Sequence, residues 1–198
     1  MTPPRLIVVS DFTRGPAPAL FERLERCLRA ARPGSVLVQL REHGLGARDR
    51  LALGRSLVAL ARAHEQRFAV NDRLDLAVLL GADAVHLGES SVPSADARRL
   101  LPGAWLSRAW HAPDAPTDGA DALVLSPIFA PRHGRPALGV EALSRARTGG
   151  ALLYALGGVG ATNAARALES GAAGVAVVGA VLEEDDPSAL LWALGIER

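Results

Sequence analysis

Short apolar runs without alternation recur along the chain, set off by glycine, small or polar residues. Three follow a Gly-Ala step: Ala84-Val85-His86-Leu87 after Gly81-Ala82-Asp83, Ala122-Leu123-Val124-Leu125 after Gly119-Ala120-Asp121, and Gly174-Val175-Ala176-Val177-Val178 after Gly171-Ala172-Ala173. Glycine just past a helix adopts the left-handed conformation at little cost, and an unbroken apolar run suits a parallel strand covered on both faces. The punctuation therefore predicts a repeated helix-then-strand unit. Strands are predicted at residues 6–10, 36–40, 68–71, 84–87, 104–109, 122–125, 152–156 and 174–178. Helical patterns occupy 19–31, 48–64, 73–80, 94–101, 141–148, 162–170 and 187–194, with only a short turn around 113–118. Leu51, Leu53, Leu57, Val58, Leu60 and Ala61 recur at helical spacing, and Ser94 and either Thr162 or Asn163 suit helix caps.

Eight strands alternating with helices predict an α/β fold, a (β/α)8 TIM barrel forming a single compact domain over residues 1–198. A doubly wound open sheet is the competing architecture. It would need a Gly-rich dinucleotide turn after an early strand, and Asp11-Phe12-Thr13-Arg14-Gly15-Pro16 lacks that spacing.

In a barrel, chemistry belongs at the carboxyl ends of the strands. Polar residues gather there: Gln39, Arg41, Glu42 and His43; Asn71, Asp72 and Arg73; His86 and Glu89; Arg108 and His111; Ser126, then Arg132, His133 and Arg135. Four of the five histidines fall on this one rim. Gly157-Gly158 and Val178-Gly179 follow the seventh and eighth strands, where backbone N–H groups of such barrels receive phosphate.

Each residue also has a plainer reading. The glycines turn the chain; Asn71-Asp72 either offers hard oxygen ligands to Mg²⁺ or caps a helix. Arg41 either forks onto a phosphate or pairs with Glu42 or Asp72. His86 reads by default as a satisfied core histidine. His111, following Trp105, Arg108 and Trp110, sits in an aromatic setting suited to a flat heterocycle and to proton transfer, while core packing accounts equally well for the tryptophans. Arg132-His133-Gly134-Arg135 reads as a flexible cationic loop over a diphosphate, or as solvated surface.

Composition narrows the classes. The chain is 49% hydrophobic and 22% charged, which fits one soluble globular domain. Its formal net charge of +1, without like-charge blocks, excludes a broad nucleic-acid or anionic-lipid footprint. No apolar stretch reaches membrane-span length and no signal-peptide pattern opens the chain, so a cytoplasmic location is expected. The one cysteine, Cys27, leaves no disulfide or cysteine zinc site and suits packing. All 22 basic residues are arginine, so Schiff-base chemistry on a lysine amine is unavailable.

The ordered set Gln39-Leu40-Arg41-Glu42, Asn71-Asp72-Arg73-Leu74-Asp75-Leu76-Ala77, His86-Leu87-Gly88-Glu89, Ser126-Pro127-Ile128-Phe129, Leu138-Gly139 and Ala155-Leu156-Gly157-Gly158-Val159 resembles the thiamine phosphate synthase/TenI family, from about Leu6 to Leu182. The resemblance implies a barrel that binds small phosphorylated heterocycles, with neither nucleic acid nor membrane as partner and a homo-oligomer allowed. In the family's synthases, hydroxymethylpyrimidine diphosphate loses pyrophosphate with Mg²⁺ assistance, and the nitrogen of thiazole phosphate captures the resulting cation. Carried over, Arg41 and Asn71 would hold the pyrimidine diphosphate, with Arg41 acting catalytically; Gln39, Arg132 and His133 are further candidate substrate contacts, Arg132 and Arg135 compensating for lost lysines. Asp72 would ligate Mg²⁺, with Glu89 compensating for a lost metal carboxylate. Gly157, Gly158, Val178 and Gly179 would hold the thiazole phosphate. The chain departs from the family at His43 in place of a lysine, at Ser91 in place of a metal-binding aspartate, at Ala109 in place of a serine, and at Ala130-Pro131-Arg132-His133 in place of a Thr-x-Thr-Lys loop. These departures keep two alternatives beside the synthase: a TenI-like thiazole tautomerase using His111 as acid and base, and a non-catalytic regulator that binds a phosphorylated ligand.

Overall fold

In the computed structural model, which describes residues 2–111 and 119–198, eight parallel strands close into a barrel in sequence order. They are β1 (Leu6–Val9), β2 (Val36–Leu40), β3 (Arg67–Asn71), β4 (Ala84–Leu87), β5 (Trp105–Trp110), β6 (Ala122–Leu125), β7 (Leu152–Leu156) and β8 (Gly174–Val177), with β8 pairing back onto β1. The helices are α1 (Ala17–Ala30), α2 (Ala47–Ala63), α3 (Leu74–Leu80), α4 (Ser94–Leu100), α5 (Glu141–Arg145), α6 (Ala164–Glu169), α7 (Gly179–Leu182) and α8 (Ser188–Leu194). The eight strands stand where the apolar runs predict them, within one residue at each end. Two elements carry no such periodicity and come only from the structure: a 3₁₀ turn at Phe12–Arg14, and α7, one turn long, directly after β8. The expected turn around 113–118 lies outside the described residues.

The strands are buried on both faces, which is why they read as continuous apolar runs. The helices cover them with one stripe each: Leu20, Leu24, Cys27 and Leu28 on α1, and Leu57, Val58 and Ala61 on α2. Cys27 is fully buried, and burial pushes its thiol up to about 12, so it packs and does not react. Among the described residues no helix is long and apolar enough to cross a membrane.

The repeated Gly-Ala-Asp step has a structural cause. Gly81 takes φ +57 to close α3, and the aspartate two residues on ties the entering strand to the preceding one. Asp83 Oδ2 accepts the N–H of Phe68 at 2.9 Å, and Asp121 Oδ2 accepts that of Leu106 at 2.7 Å. Buried Gln66 stitches the same end, accepting the Val36 N–H at 3.0 Å and donating to the Arg32 carbonyl at 3.0 Å. Buried Tyr154 donates to the Pro4 carbonyl at 2.6 Å.

The expected caps act differently. Pro93 holds the cap position of α4 and Ser94 is its first helical residue, fully buried. Asn163 does hold the cap position of α6, but its side chain goes to the glycine loop, accepting the Gly160 N–H and donating to the Gly158 carbonyl, each at 2.9 Å.

Strand register sets the mouth. Val9 pairs with Gln39, Asn71 with His86, Ala109 with Val124, and Leu156 with Ala176. These eight residues face inward at the carboxyl ends of their strands and form one ring around a cavity.

Candidate active site

The ring has two halves. Gln39, Asn71 and His86 are polar and adjacent, from β2, β3 and β4; Ala109, Val124, Leu156, Ala176 and Val9 complete the circle with apolar surface. They enclose a cavity of about 210 Å³ whose upper wall carries Arg41, His43, Asp72, Glu89, His111, Arg132, His133 and Arg135.

On the polar side, hydrogen bonds run from strand to strand. Gln39 Nε2 donates to Asn71 Oδ1 at 3.0 Å, Asn71 Nδ2 to Asp72 Oδ2 at 2.7 Å, and the Gly88 N–H to Asp72 Oδ1 at 2.8 Å. Asp72 sits at φ +58, a conformation unusual outside glycine, which turns its carboxylate back against the β4 end. It does not cap α3, whose cap position is Arg73.

Arg41 has neither of the partners its plainer reading supplied. Buried Glu42 instead accepts from Ser10 Oγ at 2.6 Å and from the Phe12 N–H at 3.3 Å, while Ser10 Oγ accepts the Arg41 N–H at 2.9 Å. Ser10 and Glu42 thus fix the backbone of Arg41, and its guanidinium faces the cavity with no carboxylate in ion-pair contact among the described residues.

His86 lines the cavity and is satisfied through Nδ1, 2.9 Å from Ser107 Oγ. Burial holds its pKa down at about 4, so it is neutral. Burial, with Arg41 and Arg50 nearby, also lowers His43. Glu89 stands 3.0 Å from His111 Nδ1 and 3.3 Å from Arg135 Nη2. Burial raises its carboxyl, but His111 and Arg135 beside it outweigh that and hold it below the ordinary value.

The segment at residues 132–135 is a tight hairpin turn. Arg132 and Arg135 exchange both backbone hydrogen bonds, at 3.0 and 2.9 Å, around His133 and Gly134 at φ +50 and +74. The turn sets both arginines against the mouth.

Of the two readings of Trp105 and Trp110, packing holds. Trp105 shares the inward face of β5 with Ala109 but lies at the far end, edge-on to Tyr154 with centroids 5.7 Å apart; Trp110 points to the opposite face and is buried. Neither lines the cavity, and the tryptophans are core.

A second hollow of about 280 Å³ adjoins the first and shares Arg132, Leu156, Ala176 and Val178 with it. Gly157, Gly158 and Gly179 form its floor. Gly157 and Gly158 take φ +99 and +71, and a Cβ on Gly158 would come within 2.8 Å of the Ala130 nitrogen, so only glycine lets these two strand-end segments meet. The site residue missed from sequence is Arg14, which enters this hollow from the 3₁₀ turn after β1. Its position beyond a strand end was the available signal.

Residues 6–181 match the model of the TMP-TENI family, described as thiamine monophosphate synthase. A thiamine-phosphate synthase of Thermus thermophilus is 40% identical over 190 residues, covering 92% of each chain. One of Methanoculleus marisnigri is 38% identical over 195 residues, covering 93% of this chain and 90% of its own. The solved structure of thiamine phosphate pyrophosphorylase from Pyrococcus furiosus superposes with a TM-score of 0.77 at 27% identity, covering 96% of this chain and 93% of that one.

The chain belongs to the thiamine monophosphate synthase family.

Family membership gives the departures a structural setting. Ala109, where the resemblance leads one to expect a serine, adds apolar surface to the ring, and His43, where it leads one to expect a lysine, lines the wall with Arg41. Ser91, where the resemblance leads one to expect an aspartate, places its N–H on the Gly88 carbonyl at 3.2 Å. Among the described residues no group of three His, Cys, Asp or Glu side chains is arranged to hold a metal. The chemistry of Asp72 nonetheless suits Mg²⁺: it is a hard carboxylate at the cavity wall, beside Asn71, and Mg²⁺ commonly takes one or two carboxylates and completes its shell with substrate phosphates and water.

Proposed function

We propose that the protein is a thiamine-phosphate synthase, a transferase that joins hydroxymethylpyrimidine diphosphate to thiazole phosphate and releases pyrophosphate. The observation that carries this reading is the pair of hollows sharing one wall: a polar one under Arg41, which meets no carboxylate among the described residues, and a glycine-floored one beside it. Two anionic substrates would each have a place, and their reacting ends would meet across Leu156, Ala176 and Val178.

In the reaction, the bond between the pyrimidine methylene and the diphosphate oxygen breaks, and its electron pair leaves with pyrophosphate. The thiazole nitrogen then gives its lone pair to the methylene carbon. Arg41, Asn71 and the Arg132–Arg135 turn would bind the diphosphate and stabilise the charge that grows on its leaving oxygen. Gln39 would fix Asn71 through their hydrogen bond. The apolar half of the ring would keep water from the cation. Asp72 would hold Mg²⁺, which when bound neutralises diphosphate charge. Gly157, Gly158, Val178 and Gly179 would receive the thiazole phosphate through backbone N–H groups.

The tautomerase reading keeps one specific support, His111 in contact with a carboxylate at the same mouth. Supplying both precursors with Mg²⁺ separates the two. Thiamine phosphate and pyrophosphate in equal amounts are expected. Absence of both, with thiazole phosphate still bound, would reject the synthase. Proton exchange on thiazole phosphate that requires His111 would then establish the tautomerase.

A further inference from the structure

We infer that Arg14 is the side chain that receives the phosphate monoester above Gly158 and Gly179, and that Glu183 occupies its place until that phosphate arrives. The inference rests on the reading above, that a phosphorylated thiazole enters the glycine-floored hollow.

Arg14 is held by Asp11 on one side and by Glu183 on the other. Asp11 caps the 3₁₀ turn, accepting from the Thr13 N–H at 3.3 Å and, through its other oxygen, from Arg14 Nε at 2.9 Å. With the Nε edge pinned, Nη1 projects into the hollow and pairs with Glu183 Oε1. This ion pair lies against the backbone of Gly179: a Cβ there would stand 2.6 Å from Glu183 Oε2 and 3.4 Å from Arg14 Nη1. An oxyanion is thus already seated between a guanidinium and a glycine backbone at the floor of this hollow, and it belongs to the chain itself.

A phosphate and the Glu183 carboxylate repel, so one must yield. Glu183 is 51% exposed at its side chain, against 29% for Arg14, and among the described residues only Arg14 pairs with its carboxylate, whereas Asp11 also anchors Arg14. A half-exposed ion pair contributes little, while a guanidinium meets phosphate through two parallel charge-assisted hydrogen bonds. Exchange of carboxylate for phosphate is therefore downhill, and Glu183 is the group that swings into solvent. Arg132 borders both hollows, within electrostatic reach of Arg41 on one side and Arg14 on the other, so a phosphate on Arg14 would also meet the Arg132 guanidinium.

Calorimetric titration of the full chain with thiazole phosphate, its dephosphorylated alcohol and inorganic phosphate tests this on Arg14→Gln, Arg14→Lys and Glu183→Gln. Arg14→Gln should weaken thiazole phosphate binding about tenfold, the scale of one charge-assisted contact, with Arg14→Lys between it and wild type and the alcohol unaffected. Glu183→Gln should tighten phosphate binding several-fold. In the double variant the gain should disappear. Unchanged affinity in Arg14→Gln, or weaker binding in Glu183→Gln, overturns the inference. If wild type makes thiamine phosphate and Arg14→Gln does so at the same KM for thiazole phosphate, the inference falls and the synthase stands. If wild type makes none, but inorganic phosphate shows the same opposed effects of Arg14→Gln and Glu183→Gln, the synthase falls and the inference stands.

Discussion

Glu89 Oε1 lies 3.0 Å from Nδ1 of His111, and the other oxygen of Glu89 lies 3.3 Å from Arg135. One carboxylate from the end of β4 therefore joins the end of β5 to the cationic turn beyond β6. Both of its oxygens are turned to neighbouring side chains, an arrangement better suited to holding the rim together than to ligating a metal.

Glu89→Gln is expected to lower kcat/KM for the pyrimidine diphosphate roughly tenfold, by loosening His111 and Arg135 together. The Mg²⁺ concentration for half-maximal activity should stay at the wild-type value. A marked rise in that concentration would make Glu89 a metal ligand instead. Because its carboxyl is held below the ordinary value, its share of stability is present above that value and is lost as pH falls through the lowered one.

Gly158→Ala should act on both stability and binding. The new Cβ would stand 2.6 Å from Ala130 Cβ, at a φ of +71 that alanine rarely adopts. A loss of about 1–3 kcal/mol in urea unfolding is expected, together with weaker binding of thiazole phosphate. Wild-type affinity would remove Gly158 from the phosphate site.

His86 imposes an acid limit. Burial lowers its pKa from 6.5 to about 4, so between those values the unfolded chain binds a proton that the folded one refuses. Stability should be full above pH 6.5 and fall by about 2–3 kcal/mol on acidification towards pH 4. His86→Asn should flatten that part of the profile when both proteins are unfolded by urea at a series of pH values in metal-free buffer. Parallel profiles would assign the acid loss to other groups.

Tyr154→Phe should separate scaffold from site. It deletes the bond to the Pro4 carbonyl at the end of the barrel away from the mouth, for about 1 kcal/mol in unfolding experiments. Activity per folded molecule should not change; a fall in kcat would mean that the two ends communicate.

Much of this architecture was legible because strands buried on both faces leave continuous apolar runs, and because a barrel gathers the residues just past them. That logic located Gln39, Asn71, Asp72, His86, Gly157 and Gly158 around one mouth. It could not tell that Trp105 and Trp110 are core, since that depends on which strand face each occupies and how far down the barrel it lies. Nor could it see that Ser10 would draw Glu42 away from Arg41, a contact between β1 and β2 set by register. The turn at 132–135 hid behind its arginines, although the positive φ of His133 and Gly134 follows the His-Gly pair at its centre.

The bonds from Asp83, Asp121, Gln66 and Tyr154 lie away from the mouth, where the strands begin. Closure of the cylinder is thereby secured without help from the groups that meet ligands. Specificity can be rewritten at one end, by exchanging rim loops or inserting new ones, while the seams at the other keep the staves together.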